Sequence, residues 1–184
     1  QWQEVEHKND CIRYSGPKIG DILAIKIICT WSLEVSMIRK ILQRPTDFDQ
    51  FFSRVKKSRL LKHVSNTIKI QRIYQIHDGS PLDDRVVSLD YREEQRSDRW
   101  RLYFQRSKQQ PKIEDDDDLV LVGGNHGYWE VSPHPKGVQV SIESFYDPGG
   151  SVPKFLVRWF AGGGVQKMML ELRSYAERKA KEQR

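Results

Sequence analysis

The chain has 184 residues, a length that fits one domain able to bury a sizeable core, or a core around a cavity. Its net charge of +6 modestly favours anionic partners, but the basic residues are spread along the chain as on an ordinary solvated surface. No run approaches the roughly 20 apolar residues of a membrane span, and two cysteines are too few for a disulfide framework or a zinc site.

The cysteines and the first residue bear on the compartment. Cys11 and Cys29 are expected as reduced, half-buried thiols, and one bridge between neighbouring strands is the alternative. The chain begins at Gln1 rather than methionine, as it would after removal of a leader or trimming. Export to the periplasm therefore stays open beside a cytoplasmic location.

The first third of the chain predicts strands followed by short helices. Residues 2–6 and 11–14 alternate weakly, a turn follows at Gly16-Pro17 and Gly20, and residues 22–31 are strongly β-branched and apolar. Ser32 is placed to cap a helix that Pro45 ends, and Thr46 is placed to cap a second, shorter one. Their apolar faces comprise Leu33, Met37, Ile38, Ile41 and Leu42, then Phe48, Phe51 and Phe52.

From Arg59 onward the hydrophobic pattern changes to a period of two, which is typical of strands. The acidic run at residues 114–118 lacks the glycine and glutamate positions of a calcium loop and is expected to be a solvated loop. A glycine-rich segment, residues 123–127, separates two of the strands. The predicted strands are residues 60–64, 68–76, 85–93, 100–106, 119–122, 128–131 and 138–145.

The end of the chain predicts a strand, a tight turn and a long amphipathic helix. Residues 147–150 read Asp-Pro-Gly-Gly, in which both glycines can take positive φ, and Ser151 is a good N-cap. Gly162 to Gly164 would cost roughly 3 kcal/mol inside a helix, which predicts two helices with a bend, or a compliant point that admits a ligand. The apolar positions are Val152, Phe155, Leu156, Trp159, Phe160, Val165, Met168, Met169, Leu172 and Ala176.

These elements predict an α+β fold in a single domain, residues 1–184. Consecutive strands without helical crossovers indicate one antiparallel sheet, and a sheet of this size curls. A curled sheet closed by a helix with an aromatic face encloses a concave space. Side chains fill that space, or it is left open for a ligand.

Motifs for other chemistry are missing from the sequence. There is no G-x-S-x-G nucleophile elbow, and the glycines at 162–164 lack the lysine-serine pair of a phosphate loop. His126 and His134 have no cysteine or carboxylate at metal spacing, although His126 could be a polar group at a pocket mouth. No nucleic-acid recognition signature occurs. We therefore expect no metal, no cofactor and no nucleic-acid partner.

Residues 146–157, Tyr-Asp-Pro-Gly-Gly-Ser-Val-Pro-Lys-Phe-Leu-Val, resemble the final strand-turn-helix junction of START domains. These are the lipid-transfer domains related to steroidogenic acute regulatory protein, and the likeness is closest to the stand-alone bacterial members. Weaker matches follow in the family's order at residues 2–14, 47–51, 81–85 and 127–133. The resemblance implies a helix-grip fold, in which a curved antiparallel sheet wraps around a long C-terminal helix and encloses a tunnel for one apolar molecule.

The expected function is that of a non-enzymatic, monomeric carrier of a lipid or sterol-like ligand, in transient contact with a membrane surface. Arg85 is expected to be a buried cation that meets a polar headgroup, or else an ion-pair partner of Asp83 or Asp84. Trp159 is expected to line the cavity, and the alternative is that it only packs in the core. The predicted ligand-binding residues are Arg85, Val87, Leu89, Leu102, Trp129, Val140, Ile142, Ser144, Phe155, Leu156, Trp159 and Met168.

Two other functions stay open. The START resemblance extends to cyclases that fold reactive polyketide chains in the same cavity, and a paired His, Tyr or carboxylate on the wall would favour such an enzyme. A filled cavity, too small for any lipid, would favour a module that acts through a partner protein.

Overall fold

A computed structural model describes residues 1–20, 22–65, 67–113 and 118–182, without the side chains of residues 154–162. Of the acidic run at 114–118, which was expected to be a solvated loop, residues 114–117 lie outside the described residues. The strands are β1 (Gln3–Lys8), β2 (Cys11–Ile19), β3 (Ile22–Trp31), β4 (Val55–Ser65), β5 (Ile70–His77), β6 (Asp84–Arg96), β7 (Arg99–Arg106), β8 (Leu119–Leu121), β9 (Gly124–His134) and β10 (Gly137–Asp147). The helices are α1 (Val35–Leu42), a 3₁₀ helix (Pro45–Gln50) and α2 (Lys154–Glu182).

The described strands form one curved, ten-stranded sheet in the order β1-β2-β3-β10-β9-β7-β6-β5-β4. Neighbours along this path are antiparallel, and β8 lies off the path, parallel to β6. The expected α+β helix-grip architecture, a curved antiparallel sheet with a long C-terminal helix, is confirmed.

The core lies between the concave face of the sheet and the helices. On β3 every second side chain, from Ile25 to Trp31, is buried, as strand alternation requires. On α2 the buried residues Val165, Met169, Leu172 and Ala176 recur at spacings of three and four, which places them on one face of the helix. The sheet and α2 thus bury matching apolar faces.

Helix α2 is continuous through Gly162 to Gly164, so the expectation of two helices with a bend is wrong. The glycines cost roughly 1 kcal/mol each relative to alanine. Complete burial of one large apolar side chain contributes about 1.5–3 kcal/mol, and the turns after the glycines bury three such residues. Tertiary packing therefore outweighs the local helix propensity.

The predicted turn at Gly16-Pro17 is wrong, because both residues lie within β2. The pairing of β2 with β3 shifts register between Ser15 and Lys18, which is where a strand tolerates proline. A Cβ atom on Gly16 would lie 2.4 Å from the ring of Trp2. This glycine therefore permits a ring to pack closely against a strand, and the chain turns at Gly20 instead.

The glycine-rich segment at residues 123–127 is likewise part of a strand, since β9 begins at Gly124. Gly127 pairs with Ser144 of β10, and a Cβ atom on Gly127 would lie 1.9 Å from the carbonyl oxygen of Glu143. Close approach of two backbones, rather than a loop, explains the glycine here.

Both predicted N-caps are misplaced. Helix α1 begins at Val35 after Glu34, so Ser32 lies in the bend that follows β3 rather than at the cap. The 3₁₀ helix begins at Pro45 itself, because the fixed φ of proline suits a first helical position, and Thr46 is already inside.

Cys11 and Cys29 form a disulfide, so the expectation of two reduced thiols is wrong. The two residues are direct partners in the β2–β3 ladder, with Cα atoms 4.1 Å apart. Strand register brings the sulfurs together across 18 positions of sequence.

The Asp-Pro-Gly-Gly turn has the predicted conformation. Gly149 and Gly150 have φ of 69° and 63°. The Asp147 carboxylate accepts a hydrogen bond from the Gly149 amide at 2.9 Å, and the Asp147 carbonyl accepts one from the Gly123 amide at 3.0 Å. The turn is thereby tied to the residue that precedes β9.

Replacing Gly149 by alanine should destabilise the fold by about 3 kcal/mol, because its Cβ would lie 2.1 Å from the carbonyl oxygen of Leu121. Gly20 is the matched control: its φ is 61°, and among the described residues nothing outside its chain neighbours lies within 4 Å of a Cβ. Gly20→Ala should cost only about 1 kcal/mol. Equal losses in urea unfolding would contradict a steric role for Gly149.

Candidate functional site: a cavity with one polar end

A cavity of about 110 Å³ lies between the concave face of the sheet and α2. Among the described lining residues, the polar ones gather at one end and the others are apolar. The polar lining is Arg54, Gln75, His77, Asp78, Asn125, Ser144 and Tyr146. The apolar lining is Phe48, Val55, Leu89, Phe104, Trp129, Ile142, Val165 and Met168, with the ring of Tyr91 and the backbone at Gly164.

Strand alternation places the wall residues. Ile142, Ser144 and Tyr146 alternate along β10, and their cross-strand partners on β9 include Trp129 opposite Ile142 and Asn125 opposite Tyr146. Trp129 is 1% exposed and lies parallel to the ring of Phe52, with centroids 5.9 Å apart. The apolar end is therefore rigidly packed, whereas the polar end lies towards the turn that leads to α2.

The structure brings together five of the predicted ligand-binding residues, Leu89, Trp129, Ile142, Ser144 and Met168, on the cavity wall. Three others are buried in the surrounding core without lining it: Val87, Leu102 and Val140. The predicted side chains of Phe155, Leu156 and Trp159 lie outside the described residues. The ligand-binding role of the whole set stays a prediction.

Arg85 lies on the concave face but outside the cavity lining, and is 3% exposed. Its Nε donates to the carbonyl oxygen of Pro148 at 3.3 Å, and its Nη1 donates to the carbonyl oxygen of Asp83. The structure thus joins this guanidinium to two backbone carbonyls. Lys56, rather than Arg85, pairs with the carboxylate of Asp84, at 2.8 Å.

A chain of hydrogen bonds runs through the polar end. The Ser58 hydroxyl contacts the carbonyl oxygen of Pro45 at 2.7 Å, and the Gln75 amide nitrogen contacts Ser58 Oγ at 3.0 Å. Gln75 Oε1 lies 3.1 Å from Nε2 of His77, and Nδ1 of His77 lies 3.1 Å from the Tyr146 hydroxyl. The chain therefore connects a buried backbone carbonyl to a phenol on the cavity wall.

The Pro45 carbonyl fixes the direction of this chain, because a carbonyl oxygen can only accept. Ser58 must donate to it, so the Gln75 amide nitrogen donates to Ser58 and Gln75 Oε1 faces His77. His77 then carries its proton on Nε2, and Tyr146 donates to the bare Nδ1. The Tyr91 hydroxyl donates to the same Gln75 Oε1, at 3.4 Å.

Burial shifts the pKa values of the titratable groups in this hydrogen-bond chain. Desolvation lowers the pKa of His77 to about 4, so the ring is neutral near pH 7. Desolvation likewise raises the pKa of Tyr146 and of Tyr91 above that of an exposed phenol. Near neutral pH, all three groups act as neutral hydrogen-bonding partners.

Arg54, Asp78 and Asn125, which also line the polar end, lie outside this hydrogen-bond chain. Arg54 Nη1 donates to the Asp78 carbonyl at 3.1 Å and lies 3.9 Å from the Asp78 carboxylate, so opposite charges meet there. Asn125 is 7% exposed, and its side chain has no hydrogen bond among the described residues. Its amide is thus available to a bound molecule.

His126 does not lie at the mouth of this cavity. It is exposed, stacks on Phe145 with ring centroids 4.8 Å apart, and lines a groove on the convex face of the sheet. Within the described part of the chain, no three His, Cys, Asp or Glu residues are grouped so as to hold a metal ion.

Four polar residues of the cavity wall were not among the predicted ligand-binding residues: Gln75, His77, Asn125 and Tyr146. The sequence predicted a strand at residues 68–76 without assigning its faces; in the structure Ile73, Gln75 and His77 face the core, and Ile70 lines the convex groove. Gln75 and His77 follow the buried Ile73 at every second position, and this alternation could have assigned them to the core face.

Comparison with solved structures shows the START-domain fold. A STAR-related lipid transfer protein from Xanthomonas axonopodis superposes with a TM-score of 0.81 at 19% identity, covering 96% of this chain and 98% of that one. Human STARD10 gives 0.78 at 18% identity, covering 98% of this chain and 76% of that one. An aromatase/cyclase from Streptomyces sp. R1128 gives 0.60 at 12% identity, covering 86% and 96%. No protein-family profile and no curated protein matches the sequence.

Acid should destabilise the fold through His77. The unfolded chain binds a proton at this ring near pH 6.5, whereas the folded chain resists protonation until about pH 4, so stability falls as the pH drops through this window. His77→Gln should reduce the loss of unfolding free energy between pH 7 and 4.5 by about 2 kcal/mol. The control is His63→Gln at an exposed position on β4, which should leave that loss unchanged. Parallel curves for wild type and His77→Gln would contradict this assignment.

Proposed function

We propose that this chain is a non-enzymatic carrier that binds one lipid or sterol-like hydrophobic molecule in the cavity beneath α2. The observation that carries the proposal is the cavity itself, which among the described residues has an apolar wall that includes Leu89, Trp129, Ile142 and Met168 and one polar end. Binding sites for small molecules combine mostly apolar walls with a few polar groups that orient the ligand.

Burial of apolar surface supplies the affinity. At about 25 cal/mol per Å², a ligand that buries about 300 Å² of apolar surface gains about 7.5 kcal/mol before the entropic cost of binding. The polar end adds orientation, since a hydrogen bond lost there leaves a buried polar group unpaired.

Accommodation of a lipid requires the cavity to enlarge. Ligand sites usually measure about 300–1,000 Å³, and the cavity has about 110 Å³. Helix α2 forms one wall of the cavity, and the backbone of Gly164 lines it. Among the described residues outside the helix's own backbone, nothing lies within 4 Å of a Cβ atom placed on Gly164. A small outward shift of α2 at this glycine would widen the site, which fits the compliant-point interpretation of the glycine run.

Solved structures with the same fold include proteins that are described as lipid transfer proteins, which supports the proposal. The Xanthomonas protein is described as a lipid transfer protein, and its fold covers almost the whole of this chain. Transfer would involve transient contact of a monomer with a membrane surface, for which the net charge of +6 favours anionic headgroups. In the described part of the chain, no helix combines the length and apolarity needed to cross a bilayer.

A second candidate is a cyclase-like enzyme acting on a hydrophobic substrate in the same cavity. The observation in its favour is the His77–Tyr146 pair on the wall, together with a fold shared with an aromatase/cyclase. General acid–base catalysis works best when pKa values lie near the working pH. The pKa of His77 is far below neutrality and that of Tyr146 is raised, which favours recognition over proton transfer.

Met168→Glu should reduce uptake of a fluorescently labelled phospholipid from liposomes at least tenfold, because it places a carboxylate on the apolar wall. Leu170→Glu is the matched control on the same helix, since Leu170 is 40% exposed and outside this cavity. Its uptake should stay within twofold of wild type. Thermal melting checks that both variants are folded, and full uptake by a folded Met168→Glu variant would contradict the proposal.

A further inference from the structure

The direction of the hydrogen-bond chain determines what Tyr146 offers to the cavity. Each donor points away from the ligand space: Tyr146 to His77, His77 to Gln75, and Gln75 to Ser58, which donates to the Pro45 carbonyl. The proton of Tyr146 is therefore already used, and its oxygen retains only the capacity to accept.

The second phenol on the wall behaves in the same way. Tyr91 donates to Gln75 Oε1 at 3.4 Å, so this oxygen accepts from both Tyr91 and His77. Reversal of either donation would leave Gln75 Oε1 without that partner in a site where Gln75 is 2% exposed. Both phenol oxygens on the wall are thus hydrogen-bond acceptors.

Asn125 supplies the complementary group. It is the cross-strand partner of Tyr146 in the β9–β10 ladder, and its side-chain amide has no hydrogen bond among the described residues. A ligand group that donates to Tyr146 can accept from the Asn125 amide at the same time. A hydroxyl has both capacities, whereas a ketone or an ether can only accept.

The acceptor oxygens at this end argue against an anionic ligand group. Arg54 contacts Asp78 there, and the Arg85 guanidinium is held by two backbone carbonyls. An anion has no proton to give to Tyr146, and its negative charge would face an acceptor oxygen.

We propose that the cavity selects hydrophobic ligands that carry a free hydroxyl, which donates to Tyr146 and accepts from Asn125. This inference rests on the proposed carrier function and adds the chemical class of the ligand. The apolar body of the ligand lies along the wall of Trp129 and Ile142.

A set of matched probes tests this choice: dodecan-1-ol, 1-methoxydodecane, tridecan-2-one and dodecanoate at pH 7.5. Their affinities are measured on the full chain by displacement of N-phenyl-1-naphthylamine. Loss of one hydrogen bond in a buried site corresponds to about tenfold in affinity. The alcohol should therefore bind about tenfold more tightly than the ether and the ketone, and more tightly than the carboxylate.

Tyr146→Phe removes the acceptor and keeps the ring. The alcohol should then lose about tenfold in affinity, and the ether should change less than twofold. Tyr103→Phe is the control, because Tyr103 lies on the convex face, where its ring contacts that of Tyr128 with centroids 5.7 Å apart. This variant should keep the wild-type order of affinities.

The outcomes separate the two proposals. Equal or tighter binding of the ether, the ketone or the carboxylate in wild type would overturn the hydroxyl selection and leave the carrier function standing. An unchanged preference in Tyr146→Phe would overturn the assignment of Tyr146. Failure of all four probes to bind would overturn both the selection and the carrier function.

Discussion

The placement of α2 over the sheet depends on the Asp147–Gly150 turn, which Arg85 holds in place. Its guanidinium is almost completely buried and donates to the carbonyl oxygen of Pro148 from one side, while the Gly123 amide donates to Asp147 from the other. A buried cation without such partners would cost several kcal/mol, so the turn and Arg85 stabilise each other. The last strand consequently ends at a fixed point, and both Tyr146 and the start of α2 are positioned from it.

The polar end of the cavity follows from the same geometry. Tyr146 stands one residue before the turn, directly in reach of His77 on β5, although 69 positions separate them in sequence. Neutral groups joined in one direction make a rigid acceptor surface next to an apolar wall. This arrangement is suited to recognition of a ligand group, because the lowered pKa of His77 and the raised pKa of Tyr146 keep both groups neutral near pH 7.

The sequence was sufficient where local chemistry determines the structure. The Asp-Pro-Gly-Gly turn, the β-branched run of β3 and the alternation along β10 each have strong local signals. Their arrangement predicted an α+β fold with a curled antiparallel sheet closed by a helix, and the START resemblance implied the helix-grip fold. The predictions were wrong where a contact with a distant part of the sequence determines the local structure. Gly16 and Gly127 signalled turns and loops, but each allows another part of the chain to approach closely.

The candidate site was harder to predict for a similar reason. Apolar residues in step along β10 and α2 identified Ile142 and Met168 as wall residues. The polar end required knowledge of which strands meet, because Ser58, Gln75 and Tyr146 are brought together only by the order of the sheet. The disulfide was expected only as the alternative to two reduced thiols, since it depends on the register of β2 against β3.

Native mass spectrometry of the purified chain, combined with extraction into organic solvent, tests the central claim most directly. The account predicts one hydrophobic adduct per chain, which extraction removes and which liposomes restore. A mass equal to that of the bare chain, together with no uptake from liposomes of several lipid classes, would contradict it.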